Sequence, residues 1–168
     1  MKVAVSGTPG TGKSTATDRL ETDFEIVHLN EVIEREGLIE GSDPERDTVI
    51  ADMVAVEAWL DEQDDVVIES HLAHHFEADR VIVLRCHPDE LTRRLRERGD
   101  SASKIQENVE SETLDIILSE AVQTHGEDHV FEIDTSDRRP GEVATEIDAV
   151  IAGERAPRVG IVSFVDQL

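Results

Sequence analysis

The sequence predicts an α/β fold in which one five-stranded parallel sheet carries helices on both faces. Its length of 168 residues suits one domain with a substantial core. Short β-branched runs alternate with helical patterns along the chain, which is typical of a parallel sheet built from β-α-β units. The runs at 65–69 and 80–85 are almost continuously aliphatic, as expected of central strands buried on both faces.

The first part of the chain is predicted to hold two strands and three helices. A strand at 2–6, a helix at 12–21 and a strand at 25–29 come first. Asn30 is the expected N-cap of a short helix at 30–36, because its side chain can accept a hydrogen bond from a free helical N–H. After a loop at 37–44, we expect a longer helix over 45–62. Its apolar residues recur at helical spacing, namely Val49, Ile50, Met53, Val56 and Leu60.

The rest of the chain supplies the other strands. Strands at 65–69 and 80–85 precede a helix over 88–98, in which Pro88 suits the first turn. The polar stretch 99–103 breaks that helix. We then expect one long helix over 104–124, a strand at 129–133 and a helix over 141–151. The tail, 153–168, is predicted to lie over the surface of the domain.

Composition limits the class of protein. There are 39 acidic and 16 basic side chains, a net charge of −23, which argues against a general nucleic-acid-binding surface. The acidic residues are spread over the predicted helices, as in cytosolic proteins of salt-accumulating halophiles; an ordinary acidic mesophilic protein is the alternative. The single cysteine, Cys86, excludes an internal disulfide. With no long apolar segment and no signal-peptide pattern, we expect a cytoplasmic protein without a membrane partner.

The motif GTPGTGKS at residues 7–14 follows the first strand and precedes the first helix. It satisfies the P-loop pattern G-x-x-x-x-G-K-[ST], in which backbone N–H groups surround phosphate oxygens. Lysine would reach the β and γ phosphates of ATP, and serine would bind Mg²⁺. We expect the lysine to be mostly exposed in the absence of nucleotide. The predicted cofactor-binding residues are Gly7, Gly10, Thr11, Gly12, Lys13, Ser14 and Thr15.

A second group of polar residues ends the 65–69 strand, at the sheet edge where ligands bind in open α/β folds. Glu69 is predicted to bind Mg²⁺ directly or through water, and His71 faces the same side. Both are candidate catalytic residues, together with Lys13. His74 and His75 complete an H-x-x-H-H pattern, but we do not expect zinc there, because histidines beside a phosphate site have a simpler use.

The remaining motifs favour a small-molecule kinase. A GTPase would need the guanine-reading tetrapeptide N-K-x-D, which is absent from the sequence. Residues 30–52 form a plausible acceptor flap, and 98–108 a plausible lid over ATP. Arg98, beside Gly99, is the best candidate for an ATP contact from the lid. Arg93 and Arg96 suit that role or a solvated helix face with Glu90 and Glu97 about equally.

The P-loop, the histidine after the third strand and the segment RGDSASKIQENVESE at 98–112 together resemble the isoenzyme-6-type adenylate kinases, over about residues 1–151. The resemblance implies a nucleoside monophosphate kinase fold, transfer from ATP to AMP, and a slower ATPase activity. It also implies a role in small ribosomal subunit maturation through an S-eleven-type protein. Arg98 would contact ATP, and Asn30 would lie on the AMP side.

Three positions depart from the family pattern. Glu69 stands where an aspartate is common, and Asp100 where an aromatic residue is common. An arginine of the family's flap aligns near Glu34, so that Arg35 or Arg46 would take its place. Two alternatives to an adenylate kinase remain at this point: an ATPase that assembles a ribosomal partner, with kinase activity incidental, and a P-loop kinase of another small acceptor.

Overall fold

The computed structural model describes all residues, 1–168. Its main sheet contains five parallel strands in the order β2-β5-β1-β6-β7. This confirms the predicted α/β class. The strands of the molecule are β1 Lys2–Gly7, β2 Glu25–His28, β3 Ile39–Asp43, β4 Thr48–Ala51, β5 Val66–Glu69, β6 Arg80–Arg85 and β7 Val130–Asp134. The helices are α1 Lys13–Thr17, α2 Leu29–Arg35, α3 Met53–Asp61, α4 Pro88–Arg98, α5 Ala102–Thr113, α6 Ile116–His125 and α7 Pro140–Ile151.

The central strand β1 carries the P-loop at its carboxyl end. It pairs with β5 through Val5↔Glu69 and with β6 through Gly7↔Leu84. Aliphatic side chains from both faces of these strands are completely buried, which gives one core cluster on each side of the sheet. Each such side chain contributes about 1.5–3 kcal/mol on burial. The sheet is therefore a rigid base that holds the P-loop and the end of β5 side by side.

The acceptor segment differs from its prediction. The expected loop at 37–44 and the first part of the expected helix at 45–62 form an antiparallel hairpin, β3 and β4. Only Met53–Asp61 is helical, with the Asp52 side chain accepting a hydrogen bond from the Ala55 N–H. Val49 and Ile50 are about half exposed. Their helical spacing predicts the buried face of a helix, and that prediction is wrong because both residues lie on the hairpin.

The long helix predicted over 104–124 is two helices, α5 and α6. Asp115 separates them in the left-handed backbone conformation, with φ 56°. Aspartate tolerates this conformation better than most residues. The Asp115 carboxylate accepts a hydrogen bond from the buried Arg85 side chain on β6, and this contact anchors the break.

Other boundaries shift by a few residues. α1 ends at Thr17, and tighter i→i+3 hydrogen bonds follow it at Arg19 and Leu20. His28, rather than the predicted Asn30, is the N-cap residue of α2, and its side chain bonds elsewhere. The tail does lie over the domain, because Arg158 forms a parallel β-bridge with Phe131 of β7. No helix combines the length and the apolar character needed to span a bilayer.

Candidate functional site

The P-loop curls around the carboxyl end of β1, and its glycines are required by its shape. Gly10 and Gly12 both have φ 93°, a left-handed conformation that favours glycine. A Cβ on Gly10 would lie 2.7 Å from the Leu95 side chain, and a Cβ on Gly7 would lie 2.8 Å from the Leu84 carbonyl oxygen. Close packing against α4 and β6 therefore leaves no room for larger residues.

Lys13 is buried, so the expectation of an exposed lysine is wrong. Only 7% of the residue is accessible. Its ammonium group donates to the carbonyl oxygens of Gly7 at 2.9 Å and Thr8 at 3.1 Å, inside the loop. Burial lowers the pKa of Lys13 from 10.5 to about 8, against the opposing attraction of Glu69. The side chain folds back because loop carbonyls are the nearest acceptors for a cation leaving water.

A chain of polar contacts fixes the carboxylate of Glu69. The Ser14 hydroxyl donates to it across 3.4 Å. The Nδ1 of His28 lies 2.8 Å from the same oxygen, and the His28 Nε2 lies 2.9 Å from an Asp18 oxygen. Burial lowers the pKa of His28, but the two carboxylates outweigh that effect and raise it overall. A largely buried glutamate is thus held next to the P-loop serine.

His71 lies beyond the end of β5, next to Asn30 at the start of α2. The Nδ1 of His71 is 3.5 Å from the Asn30 amide nitrogen, and the Ser70 hydroxyl donates to the Asn30 side-chain oxygen at 2.7 Å. Burial, with a smaller effect from Lys13, lowers the pKa of His71 to about 4. The imidazole is therefore neutral near pH 7 and has a lone pair to accept a hydrogen bond.

Arginines of α4 face the P-loop from the other side. Arg98 forms a two-pronged ion pair with Asp100, at 2.7 and 2.6 Å, and its side chain is 53% exposed. Arg94 belongs to the run of arginines at 93–98 that is expected at the lid edge, with no role of its own. It donates to the Thr135 carbonyl at 3.2 Å, to Glu90 at 3.0 Å and to the Gly10 carbonyl at 3.4 Å. Its i, i+4 relation to Glu90 was visible in the sequence, but its reach to the P-loop was not.

All these elements line one cavity of about 990 Å³. Of the predicted site residues, it brings together Gly10, Thr11, Gly12, Lys13, Ser14, Thr15, Asn30, Glu69, His71 and Arg98. Gly7 is buried beneath the loop, and neither Arg35 nor Arg46 lines the cavity. The two arginines are exposed on α2 and on the hairpin turn, where Arg35 pairs with Glu36 and Arg46 with Glu107. The cavity is lined by five cationic and two anionic side chains, so it attracts an anion although the protein is strongly acidic.

A buried ionic network connects the P-loop to α5, β6 and β7. The Glu112 carboxylate on α5 accepts hydrogen bonds from the Thr8 hydroxyl at 3.0 Å, the Arg85 side chain at 3.2 Å and the Cys86 N–H at 2.7 Å. Arg85 also donates to Glu132 on β7 at 2.8 Å. Sequence patterns missed these residues, because their partners are far apart in the chain. The network ties the P-loop to α5 and to the sheet.

Comparisons with known proteins agree with this geometry. Residues 3–115 match the family model AAA_18, described as an AAA domain. The chain is 58% identical over 168 residues to a protein named "Putative adenylate kinase" from Natronomonas pharaonis, with 100% of both chains covered. Proteins of the same name from Halobacterium salinarum and Methanothermobacter thermautotrophicus are 52% and 41% identical, covering 99% and 96% of both chains.

Solved structures share the fold at low sequence identity. A shikimate kinase from Bacteroides thetaiotaomicron superposes with a TM-score of 0.59 at 19% identity, covering 91% of this chain and 98% of that one. A sulfotransferase from Alicyclobacillus acidocaldarius gives 0.55 at 13% identity, covering 98% and 86%. The fold is therefore that of a P-loop kinase. With its full-length similarity to the archaeal proteins, the chain belongs to their adenylate kinase family, a nucleotide kinase family of the AAA domain group.

Proposed function

We propose that the protein transfers the γ-phosphoryl group of ATP to AMP, in the reaction ATP + AMP ⇌ 2 ADP. The observation that carries this proposal is the single cavity shared by the P-loop, the polar end of β5 and the arginines of α4. Its volume is at the upper end of ordinary ligand pockets, which suits two ligands held side by side. AMP as the acceptor is supported by the names of the archaeal relatives.

Within the proposal, the whole chain is one kinase domain. The P-loop N–H groups bind the phosphates of ATP, and Lys13 turns from the carbonyls of Gly7 and Thr8 toward the transferred group. Because Lys13 is buried, its contact with an anion is stronger than the same contact in water. Phosphoryl transfer needs charge stabilisation and alignment more than covalent chemistry, so a lysine that reaches the transferred group contributes directly to rate.

The donor set at Ser14 and Glu69 fits Mg²⁺. It consists of hard oxygen ligands, a hydroxyl and a carboxylate, beside the phosphate-binding loop. When bound, Mg²⁺ neutralises charge on the phosphate oxygens. His28 and Asp18 hold the Glu69 carboxylate in place, which offsets the freedom of a side chain one methylene longer than aspartate.

Two mobile parts complete the proposed site. Residues 98–108 form the lid, with Gly99 at φ 89° as its hinge, and Arg98 leaves Asp100 to contact ATP on closure. Residues 30–52 form the acceptor flap, with Asn30 already at the cavity. Arg46 forms an ion pair with Glu107 of α5 across 3.3 Å, so the flap contacts the lid segment. Arg35 and Arg46 are the acceptor-phosphate candidates, and they must move to reach the cavity.

The alternative is ATP hydrolysis coupled to ribosome assembly. One observation favours a hydrolytic step: neutral His71 lines the cavity and can accept a hydrogen bond from water. The S-eleven-type ribosomal partner is supported by the family resemblance alone. In this hypothesis Glu69 and His71 orient water where AMP would otherwise supply the nucleophile.

The deciding experiment compares two rates on one preparation in molar KCl. ADP formation from ATP with AMP is measured beside phosphate release from ATP alone, and CMP, UMP and shikimate serve as other acceptors. We expect AMP to give the fastest turnover. Phosphate release that outruns every acceptor would favour the ATPase hypothesis.

A matched variant tests His71. His71→Ala is expected to lower ATP hydrolysis about tenfold or more and AMP phosphorylation by less, since AMP brings its own oriented nucleophile. His129→Ala, at an exposed position outside the cavity, is the control. Equal losses in both rates, together with a lower melting temperature, would assign His71 a structural role.

A further inference from the structure

We propose that His74, His75 and Glu120 form a binding site for one divalent transition-metal ion of the zinc type, separate from the nucleotide cavity. We call these three residues the histidine–glutamate cluster. From the H-x-x-H-H pattern alone we do not expect zinc at His74 and His75, but the fold adds a third ligand. The two histidines lie on a 3₁₀ turn, Ala73–His75, and Glu120 on α6 reaches them. One nitrogen from each imidazole and one carboxylate oxygen all lie within 4.8 Å of one another.

The two imidazoles converge on one carboxylate oxygen, and one of the two contacts is a hydrogen bond. The Nε2 of His74 lies 2.7 Å from a Glu120 oxygen, and the Nε2 of His75 lies 3.6 Å from that same oxygen. The second distance is too long for a hydrogen bond, yet both rings converge on one oxygen atom. Ligand atoms around a tetrahedral zinc ion, bound at about 2.0–2.1 Å, are separated by roughly 3.3 Å. Shifts of a few tenths of an ångström to about 1.5 Å, within side-chain reach, would therefore close the site.

A buried serine supports the ligand orientation. The Nδ1 of His74 lies 2.7 Å from the Ser6 hydroxyl oxygen, and both residues are buried. A hydroxyl donates or accepts, so it remains hydrogen-bonded whichever nitrogen of His74 carries the proton. When His74 Nε2 binds a metal, Nδ1–H can donate to Ser6, as outer partners of metal-bound histidines do.

The site is also accessible and chemically selective. The side chains of His75 and Glu120 are 37% and 42% exposed, which leaves an entry path and room for a water as the fourth ligand. Two imidazoles and one carboxylate suit zinc, cobalt or nickel, whereas Mg²⁺ prefers oxygen ligands. A bound ion would fasten the 3₁₀ turn to α6, directly beside the strand that leads into the P-loop.

Cobalt provides the direct test, because tetrahedral Co²⁺ has strong visible absorption. The purified protein in molar KCl, with excess Mg²⁺ to occupy oxygen sites, is titrated with CoCl₂. We expect one equivalent to bind with a tetrahedral spectrum. His75→Ala and Glu120→Gln should each weaken binding at least a hundredfold, and Ser6→Ala about tenfold. His129→Ala and Glu127→Gln, exposed residues outside the cluster, are the matched controls and should leave binding unchanged.

Thermal unfolding supplies a second measurement. Zn²⁺ should raise the melting temperature of the wild type and leave that of His75→Ala and Glu120→Gln unchanged, since an ion that binds only the folded chain stabilises it. Both variants alter partly exposed side chains and should fold. A weak octahedral spectrum with many equivalents, or equal binding by all variants, would assign the cobalt to surface carboxylates and overturn the proposal.

Discussion

Replacing the P-loop lysine should remove the activity and change how the stability of the protein depends on pH. The change is Lys13→Met, which keeps the length of the side chain and removes its charge. Burial lowers the pKa of Lys13 from 10.5 to about 8. Since tenfold in proton affinity is about 1.4 kcal/mol, the charged lysine is about 3 kcal/mol less favourable in the fold than in the unfolded chain.

Lost hydrogen bonds offset that gain. Lys13 donates to two loop carbonyls, and hydrogen bonds from a charged donor contribute about 1.5–3 kcal/mol each. The two contributions are of similar size, so Lys13→Met should change the melting temperature at pH 7 by only a few degrees, at about 2–4 °C per kcal/mol for a chain of this size. Differential scanning calorimetry in molar KCl without nucleotide measures it. Lys104→Met, at a partly exposed position on α5, is the control.

The pH dependence gives an independent check. Between pH 8 and 10.5 the folded wild type binds fewer protons at this position than the unfolded chain, so raising the pH stabilises the wild type. The stability of Lys13→Met relative to wild type should therefore fall across that range. The N-terminal amine, whose pKa is raised to about 10, acts equally on both proteins and cancels in the difference. A stability difference that stays constant from pH 8 to 10.5 would refute the buried-charge argument.

Four further outcomes are expected. Glu112→Ala should weaken ATP binding and destabilise the fold by about 1–3 kcal/mol for each buried donor left without an acceptor, the Thr8 hydroxyl and the Cys86 N–H; the exposed Glu110→Ala should change the melting temperature little. Arg98→Ala should lower kcat/KM at least about fivefold through a lost phosphate contact, and unchanged kinetics would leave it as a surface residue. The stabilisation contributed by His28 should be complete below about pH 6.5 and be lost as the pH rises through its raised pKa, so the stability difference between wild type and His28→Asn should narrow as the pH rises above about 6.5. The melting temperature should rise steeply from low to molar KCl as carboxylate repulsion is screened, and a flat profile would contradict the halophile interpretation.

The sheet and the P-loop were predictable because their signals are local. Lys13 and Ser14 sit in a contiguous motif between a strand and a helix, and continuous aliphatic runs identify buried parallel strands. Glu69 and His71 followed from topology, since the end of β5 lies beside the end of β1. Knowledge of strand order was enough to place them at the same edge.

The hairpin was missed because two periodicities overlap. Val49 and Ile50 fit helical spacing with Met53 and Val56, yet they occupy β4 and remain about half exposed. The adjacent β-branched residues 48–50 and the turn at Asp47, with φ 51°, were the contrary local signal. Exposure, which separates the two interpretations, depends on the rest of the fold.

The break between α5 and α6 depends on contacts that no local pattern contains. Asp115 has a left-handed conformation, and its carboxylate binds Arg85, thirty positions earlier. The burial of Lys13 also depends on distant contacts, since the loop whose carbonyls accept its hydrogen bonds packs against α4 at Gly10. Ion pairs and hydrogen bonds between residues far apart in the sequence are the part of this site that local sequence patterns do not predict.

The charge of the cavity and the charge of the surface act at different ranges. A protein of net charge −23 repels an anionic nucleotide at low salt, while the cavity presents five cationic side chains to it. Molar salt shortens the Debye length to about 3 Å, which suppresses the repulsion from the surface. Buried contacts such as that of Lys13 are screened much less. Adding salt should therefore raise the affinity for ATP until the salt ions compete with direct phosphate contacts. That competition should weaken the phosphate contact of the exposed Arg98 before that of the buried Lys13.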